Sequence, residues 1–98
     1  MIAASGKFTT GAKSSISTSA VQITATDIKC VFGVLVKAAA GNTGIVYVGP
    51  LGVTAGTADA TDGVELSAGD GFLIEIDNAN KVYVIASAAG QKIFFVAV

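Results

Sequence analysis

Asp59, Asp62, Glu65 and Asp70 fall within twelve residues of one another, in the stretch TADATDGVELSAGDG. Hard cations such as Ca²⁺ bind clustered carboxylate oxygens. A calcium-binding loop, however, spaces its ligands at alternate positions around a fixed Gly, and D-A-T-D-G-V-E does not follow that spacing. Asp and Gly are also the ordinary residues of turns, because both tolerate left-handed backbone and Asp accepts hydrogen bonds from nearby amides. The stretch is therefore expected to build turns and to hold no metal.

Other reactive chemistry lacks its usual residues. The sequence has no His, no Arg and no Trp, which removes the common general bases, oxyanion clamps and zinc ligands. Ser and Thr abound, but a hydroxyl needs a base to become a nucleophile, and the six Lys show no characteristic spacing. Ser67-Ala68-Gly69-Asp70-Gly71 reads as a tight turn and not as a phosphate cradle, since no Lys follows and no helix begins there. No catalytic residue and no cofactor are expected. A single Cys, Cys30, excludes an intrachain disulfide; lying in an apolar alternation, it reads as a small core residue. Tyr47 and Tyr83 occupy the same place in two Val-Tyr-Val segments. That repetition points to packing, with the ring buried and the hydroxyl at a rim, and away from ligand stacking.

The elements that must position these residues are strands. Gly and β-branched residues are frequent, and no stretch carries apolar residues at the i, i+3, i+4, i+7 spacing of a helix. Alternation predicts strands over residues 20–25, 29–38, 45–48, 64–66, 72–76, 81–86 and 91–98. In 29–38, Cys30, Phe32, Val34 and Val36 share one face, and Val31, Leu35 and Lys37 share the other. The final KIFFVAV is apolar on both faces, so it belongs at the centre of a sheet or against a partner. Residues 1–20 are rich in Ser and Thr, with isolated apolar positions Ile2, Phe8 and Ile16; they read as an extended arm, or as an edge strand around residues 7–10. Residues 49–63 form a long loop containing the only Pro, Pro50, with a brief strand near Val53. Short strands separated by turns every 8–12 residues indicate a small antiparallel β-sandwich or barrel over residues 21–98.

Composition bounds what such a domain does. At 98 residues the chain is one domain with a modest core. Of its hydrophobic 52%, seventeen residues are Ala, which covers little area. Charged residues make up 13%, against about 25% in a typical soluble protein. Few charges are then available to keep copies apart: either Ser, Thr, Gly and Ala cover the surface or partners do, and the second is expected with the first as its rival. Six scattered Lys make no phosphate-binding stripe, so no nucleic acid is expected. No apolar run approaches the roughly 18 residues of a membrane span, and the first fifteen residues lack the apolar core of a secretory signal.

From about Phe32 to Val98 the chain runs through an apolar strand ending in Lys37-Ala38, then NTGIVYVG, GVTA, ELSAGDGFLIEIDNANKVYVIASAAG and a last apolar strand. This stretch, about two thirds of the chain, resembles small virion structural proteins of tailed bacteriophages, of the head decoration (cement) type. The resemblance implies an all-β, jelly-roll-like sandwich placed in many copies on the outer surface of the capsid head. Its partners would be the major capsid protein and its own copies, as a homotrimer or a dimer, with shell stabilisation as the result. Similar β-domains also serve as receptor- or carbohydrate-binding parts of head and tail fibres and as neck or tail components, which are the alternatives. Long, sparsely charged and poorly explained as connectors, residues 1–20 and 49–63 are the candidate contact segments. Within them Phe8, Ile16, Pro50, Leu51 and Val53 are the candidate interface residues. An arm at 1–20 would be removable with little effect on unfolding of the domain.

Overall fold

The clearest alternation in the sequence, VLVKA, forms a strand in which Val34, Val36 and Ala38 are buried and Leu35 and Lys37 face out, as the two-residue period of a pleated chain requires. The computed structural model containing it describes residues 7–98. Its strands are β1 (Thr9–Ile16), β2 (Val21–Gln22), β3 (Val34–Ala38), β4 (Val46–Gly49), β5 (Val64–Leu66), β6 (Gly71–Ile74), β7 (Tyr83–Ala86) and β8 (Gln91–Ala97). A 3-10 turn at Ala79–Lys81 precedes β7.

All the strand–strand pairings are antiparallel. β1 pairs with β8, β2 with β7, β3 with β6 and β4 with β5. These are the pairs of one long hairpin whose tip is the loop between β4 and β5. Two more pairings, β3 with β8 and β4 with β7, roll that hairpin around itself. The result is a front sheet ordered β1-β8-β3-β6 and a back sheet ordered β2-β7-β4-β5. Every connection except β4–β5 crosses from one sheet to the other. This all-β antiparallel sandwich has the eight-strand, two-sheet order of a jelly roll.

Between the sheets lie Val34, Val36, Ile93 and Phe95 from the front and Val46, Val48 and Val84 from the back. KIFFVAV thus takes its central place in β8. Its partner β1 carries Gly11 opposite Phe95, and a Cβ there would stand 2.4 Å from the ring. The small residue in β1 makes room for the large one in β8. Gln91 is the buried polar exception. Its Oε1 accepts from the amides of Thr43 and Gly44, both at 2.9 Å, and its Nε2 donates to the Ala89 carbonyl and the Thr43 hydroxyl. A buried amide satisfied in this way ties the 39–45 turn to β8 without a desolvation penalty.

Two expectations change. The strand expected over 29–38 begins only at Val34. Gly33 has φ +148, and the amides of Val31, Phe32 and Gly33 all converge on the carbonyl of Val98. The chain therefore bends around the end of β8, and Lys29 makes only an isolated bridge to Asn78. The N-terminal segment changes more. Residues 9–16 form β1, an edge strand in register with β8 from Thr9↔Ala97 to Ile16↔Gln91. A bulge between Lys13 and Ile16, with Ser15 at φ 57, swings Ile16 into the core. Among the described residues this segment is part of the sheet, so removing it would unseat a core side chain and bare β8. Ile2 and the rest of residues 1–6 lie outside the described residues.

Candidate interaction surface

The acidic loop folds on itself. Asp62 Oδ1 accepts from the Thr54 hydroxyl at 2.7 Å and from the amides of Gly56 and Ala58 at 2.9 and 3.1 Å. Asp62 Oδ2 accepts from the Asp59 amide at 2.9 Å. These donors, the Thr54 hydroxyl foremost, hold the Asp62 carboxyl below the usual Asp range. Thr54 also pairs with Asp62 as a parallel bridge, and its amide donates to the Thr61 carbonyl. The loop is a ring closed through one carboxylate. Asp70 accepts from the Ser67 amide at 3.1 Å in the next turn, and Glu65 stands exposed on β5. Cys30 is half-buried against the core, its thiol donating to the Ile76 carbonyl. Burial first, and then the charge of Asp77, push that thiol up.

On the outer side of the back sheet, Tyr47 lies opposite Ile85, and Tyr83 lies opposite Gly49. Both rings therefore share one face with Ile85 between them, and Ile85, although outward-facing, is only 9% exposed. The closed loop supplies part of the cover. Gly56 sits against Tyr47 so closely that a Cβ on it would come 3.0 Å from the hydroxyl oxygen. The repeated Val-Tyr-Val places matching rings on neighbouring strands, which is the packing role the repetition points to.

The outer side of the front sheet has no such cover among the described residues. Phe94 on β8 is 45% exposed and Leu73 on β6 is 54% exposed, with Leu35 on β3 between them and also exposed. Val96 is half-buried beside Leu35, its register partner. Phe8, next to β1, is 68% exposed. The Lys92 ammonium lies 4.8 Å from the Phe94 ring centroid, which gives that ring a cationic neighbour. Exposed apolar side chains grouped in this way make the face a candidate interaction surface.

The candidate contact residues divide. Phe8, Pro50 and Leu51 are exposed, Leu51 at 78% on the tip of the loop. Ile16 and Val53 are core residues and no partner can reach them in the folded chain. Val53 plugs the back sheet where β4 ends and β5 begins: a Cβ on Gly49 or Gly63 would meet its Cγ2 at 2.7 Å. Leu35, Leu73 and Phe94 are not among those candidates, although VLVKA, GFLI and KIFFVAV place large apolar residues on both faces of their strands. The front edge of the sandwich also opens, between β5 and β6, into a cleft of about 300 Å³ lined by Val48, Val64, Phe72, Ile74, Ile76 and Val82. Metal-binding side chains do not group in threes anywhere among the described residues.

No protein-family model matches the chain, and neither curated proteins nor solved structures give a significant match to it.

Proposed function

We propose that this chain is a non-enzymatic virion structural protein of the head-decoration type, which binds the outer surface of a tailed-phage head and stabilises the shell through contacts with the major capsid protein and with symmetric copies of itself. The observation that carries this reading is the bare outer face of the front sheet, in a domain whose charged residues are only 13% of the chain. A domain built this way gains most when that face is covered, since each square ångström of apolar surface removed from water is worth about 25 cal/mol. The loop tip, with Pro50 and Leu51 exposed, is a second and separate apolar point suited to contact with a different partner, the shell. Because many copies attach side by side, modest contacts add through high effective concentration.

The test is to mix purified protein with undecorated heads of the phage that encodes it. Saturable attachment in a fixed ratio to the major capsid protein, with a higher melting temperature of the decorated head, is expected. Leu51→Asp should weaken attachment and leave unfolding of the free domain nearly unchanged. Failure to attach at saturating concentration would overturn the reading, and glycan binding by the isolated domain would replace it with the fibre alternative.

A further inference from the structure

The apolar front face has an internal order that one symmetry operation matches. Its middle row, read across the strands, is Thr10, Val96, Leu35 and Leu73, fixed by the pairings of β1 with β8, β8 with β3 and β3 with β6. One pleat step away lie Ala12, Phe94, Lys37 and Gly71, from the same pairings. One step the other way, the registers continue into Phe8, Val98, Gly33 and Glu75. Val98 and Gly33 exchange both backbone hydrogen bonds, at 3.0 and 3.2 Å. Glu75 is exposed between inward-facing Ile74 and Ile76. The two end rows are opposites: one is large, medium, empty and acidic, while the other is small, large, basic and empty.

We propose that two copies of this chain pack front face to front face about a two-fold axis that lies in the interface and runs across the strands, along the middle row. This operation keeps each strand over its own copy and exchanges the end rows. Val96, Leu35 and Leu73 then meet their counterparts on the axis. Phe8 comes over Ala12, Phe94 over Val98, Lys37 over Gly33 and Glu75 over Gly71. Three bulky or charged side chains thus face positions with a small side chain or none. Glu75 is also offset sideways by only one strand, about 4.8 Å, from the Lys37 position of the other copy, an offset that the long Lys side chain spans across the gap between the sheets, and symmetry makes that ion pair twice. The other two-fold in the same plane, parallel to the strands, sets the two Lys37 side by side and puts Glu75 over Phe8. Charge therefore selects the first axis, since like charges across an interface are costly and opposite charges fix register.

Stacked in this way, the two front sheets sit about 10 Å apart with strands aligned to within about 30°, as in ordinary sheet packing. The four strands, 8, 7, 5 and 4 residues long and about 4.8 Å apart, give a footprint on the order of 400 Å² per copy, below the standard size of specific interfaces, so the pairing is a weak and concentration-dependent one. The inference deepens the decoration reading, and it rests on that reading only for the role such a pair has on a shell.

The test is sedimentation velocity of the full chain from about 1 µM to about 1 mM at low salt. A monomer–dimer equilibrium is expected, and Leu73→Asp should leave a folded monomer. Lys37→Glu and Glu75→Lys should each weaken pairing about tenfold or more, while the double exchange should restore it to within about threefold of the original. A monomer at every concentration, a trimer, or pairing indifferent to the single reversals would overturn the inference; so would a double exchange that fails to recover. Attachment to undecorated heads separates the two ideas. A chain that pairs but does not attach contradicts the decoration reading alone, and one that attaches without pairing contradicts this inference alone.

Discussion

The two outer faces of this sandwich have been finished differently. On the back sheet, Tyr47 and Tyr83 flank Ile85, and a loop closed through Asp62 lays Gly56 against Tyr47. On the front sheet, Leu35, Leu73 and Phe94 stand in the open, with Lys92 over one ring. Ile85 is 9% exposed and Leu73 is 54% exposed, although both point away from the core. The chain spends fourteen residues, 50–63, on one side and, among the described residues, none on the other. One face is covered by its own loop, and the other leaves its apolar side chains open to solvent.

This contrast can be broken by substitution, and the largest effect is expected inside the sandwich. Ile93 and Phe94 are neighbours on β8, the first buried and the second exposed. Ile93→Ala should cost about 2–5 kcal/mol of unfolding free energy through lost burial and a cavity. Phe94→Ala should cost less than about 1 kcal/mol in dilute solution. Urea unfolding of both variants checks this, and equal costs would mean that the front face is structural.

Next in size is the back-sheet cover. Tyr47→Ala should destabilise by about 2 kcal/mol, since it removes the platform for the loop and exposes Ile85. Leu73→Ser on the front should stay within about 0.5 kcal/mol. Melting curves at low concentration distinguish the two. If Leu73→Ser proved the costlier change, the assignment of covered and bare faces would be reversed.

A smaller effect follows from acid. The fold holds Asp62 ionised more firmly than an unfolded chain does, because its donors favour the carboxylate. The unfolded state therefore takes up the proton first as pH falls. The contribution of Asp62 is fully present above the unfolded carboxyl value of about 3.9 and is lost as pH drops through its lower folded value. Asp62→Asn should flatten the loss of stability between about pH 4 and pH 2, and should speed amide exchange at Gly56, Ala58 and Asp59. An unchanged acid limb would remove Asp62 from the loop's closure.

The smallest effect concerns Cys30. Burial and Asp77 disfavour its thiolate, so alkylation near pH 8.5 should be slower than for an unfolded peptide thiol. A rate equal to that of the free thiol would show the end of β8 opening.

The sequence carried the strands whose alternation was strong. VLVKA, VYVG, YVIA and the final KIFFVAV could be placed because large β-branched and aromatic residues repeat at every second position. β1 could not be placed to its full length. TTGAKSSI offers Gly11 and Ala12 where a strand usually shows bulk, and the bulge before Ile16 breaks its period. Its glycine has meaning only beside Phe95, some eighty residues away, and no local pattern reports that contact. Val53 was misread for a similar reason. It is one apolar residue in a polar loop, and only the glycines at 49 and 63 that admit it reveal a core position. Gln91 is a satisfied buried amide, and its partners at Thr43 and Gly44 lie too far along the chain for any local pattern to show it. The bare front face was legible in part, as strands apolar on both sides, but not which sheet lacked a cover.

The most direct measurement is hydroxyl-radical footprinting of the full chain, free in dilute solution, concentrated, and attached to undecorated heads. Leu35, Leu73 and Phe94 should be readily oxidised in the dilute chain and become protected in at least one assembled state, with Tyr47 little changed throughout. Front-face side chains that stay equally reactive in all three samples would contradict the claim that this face exists to be covered.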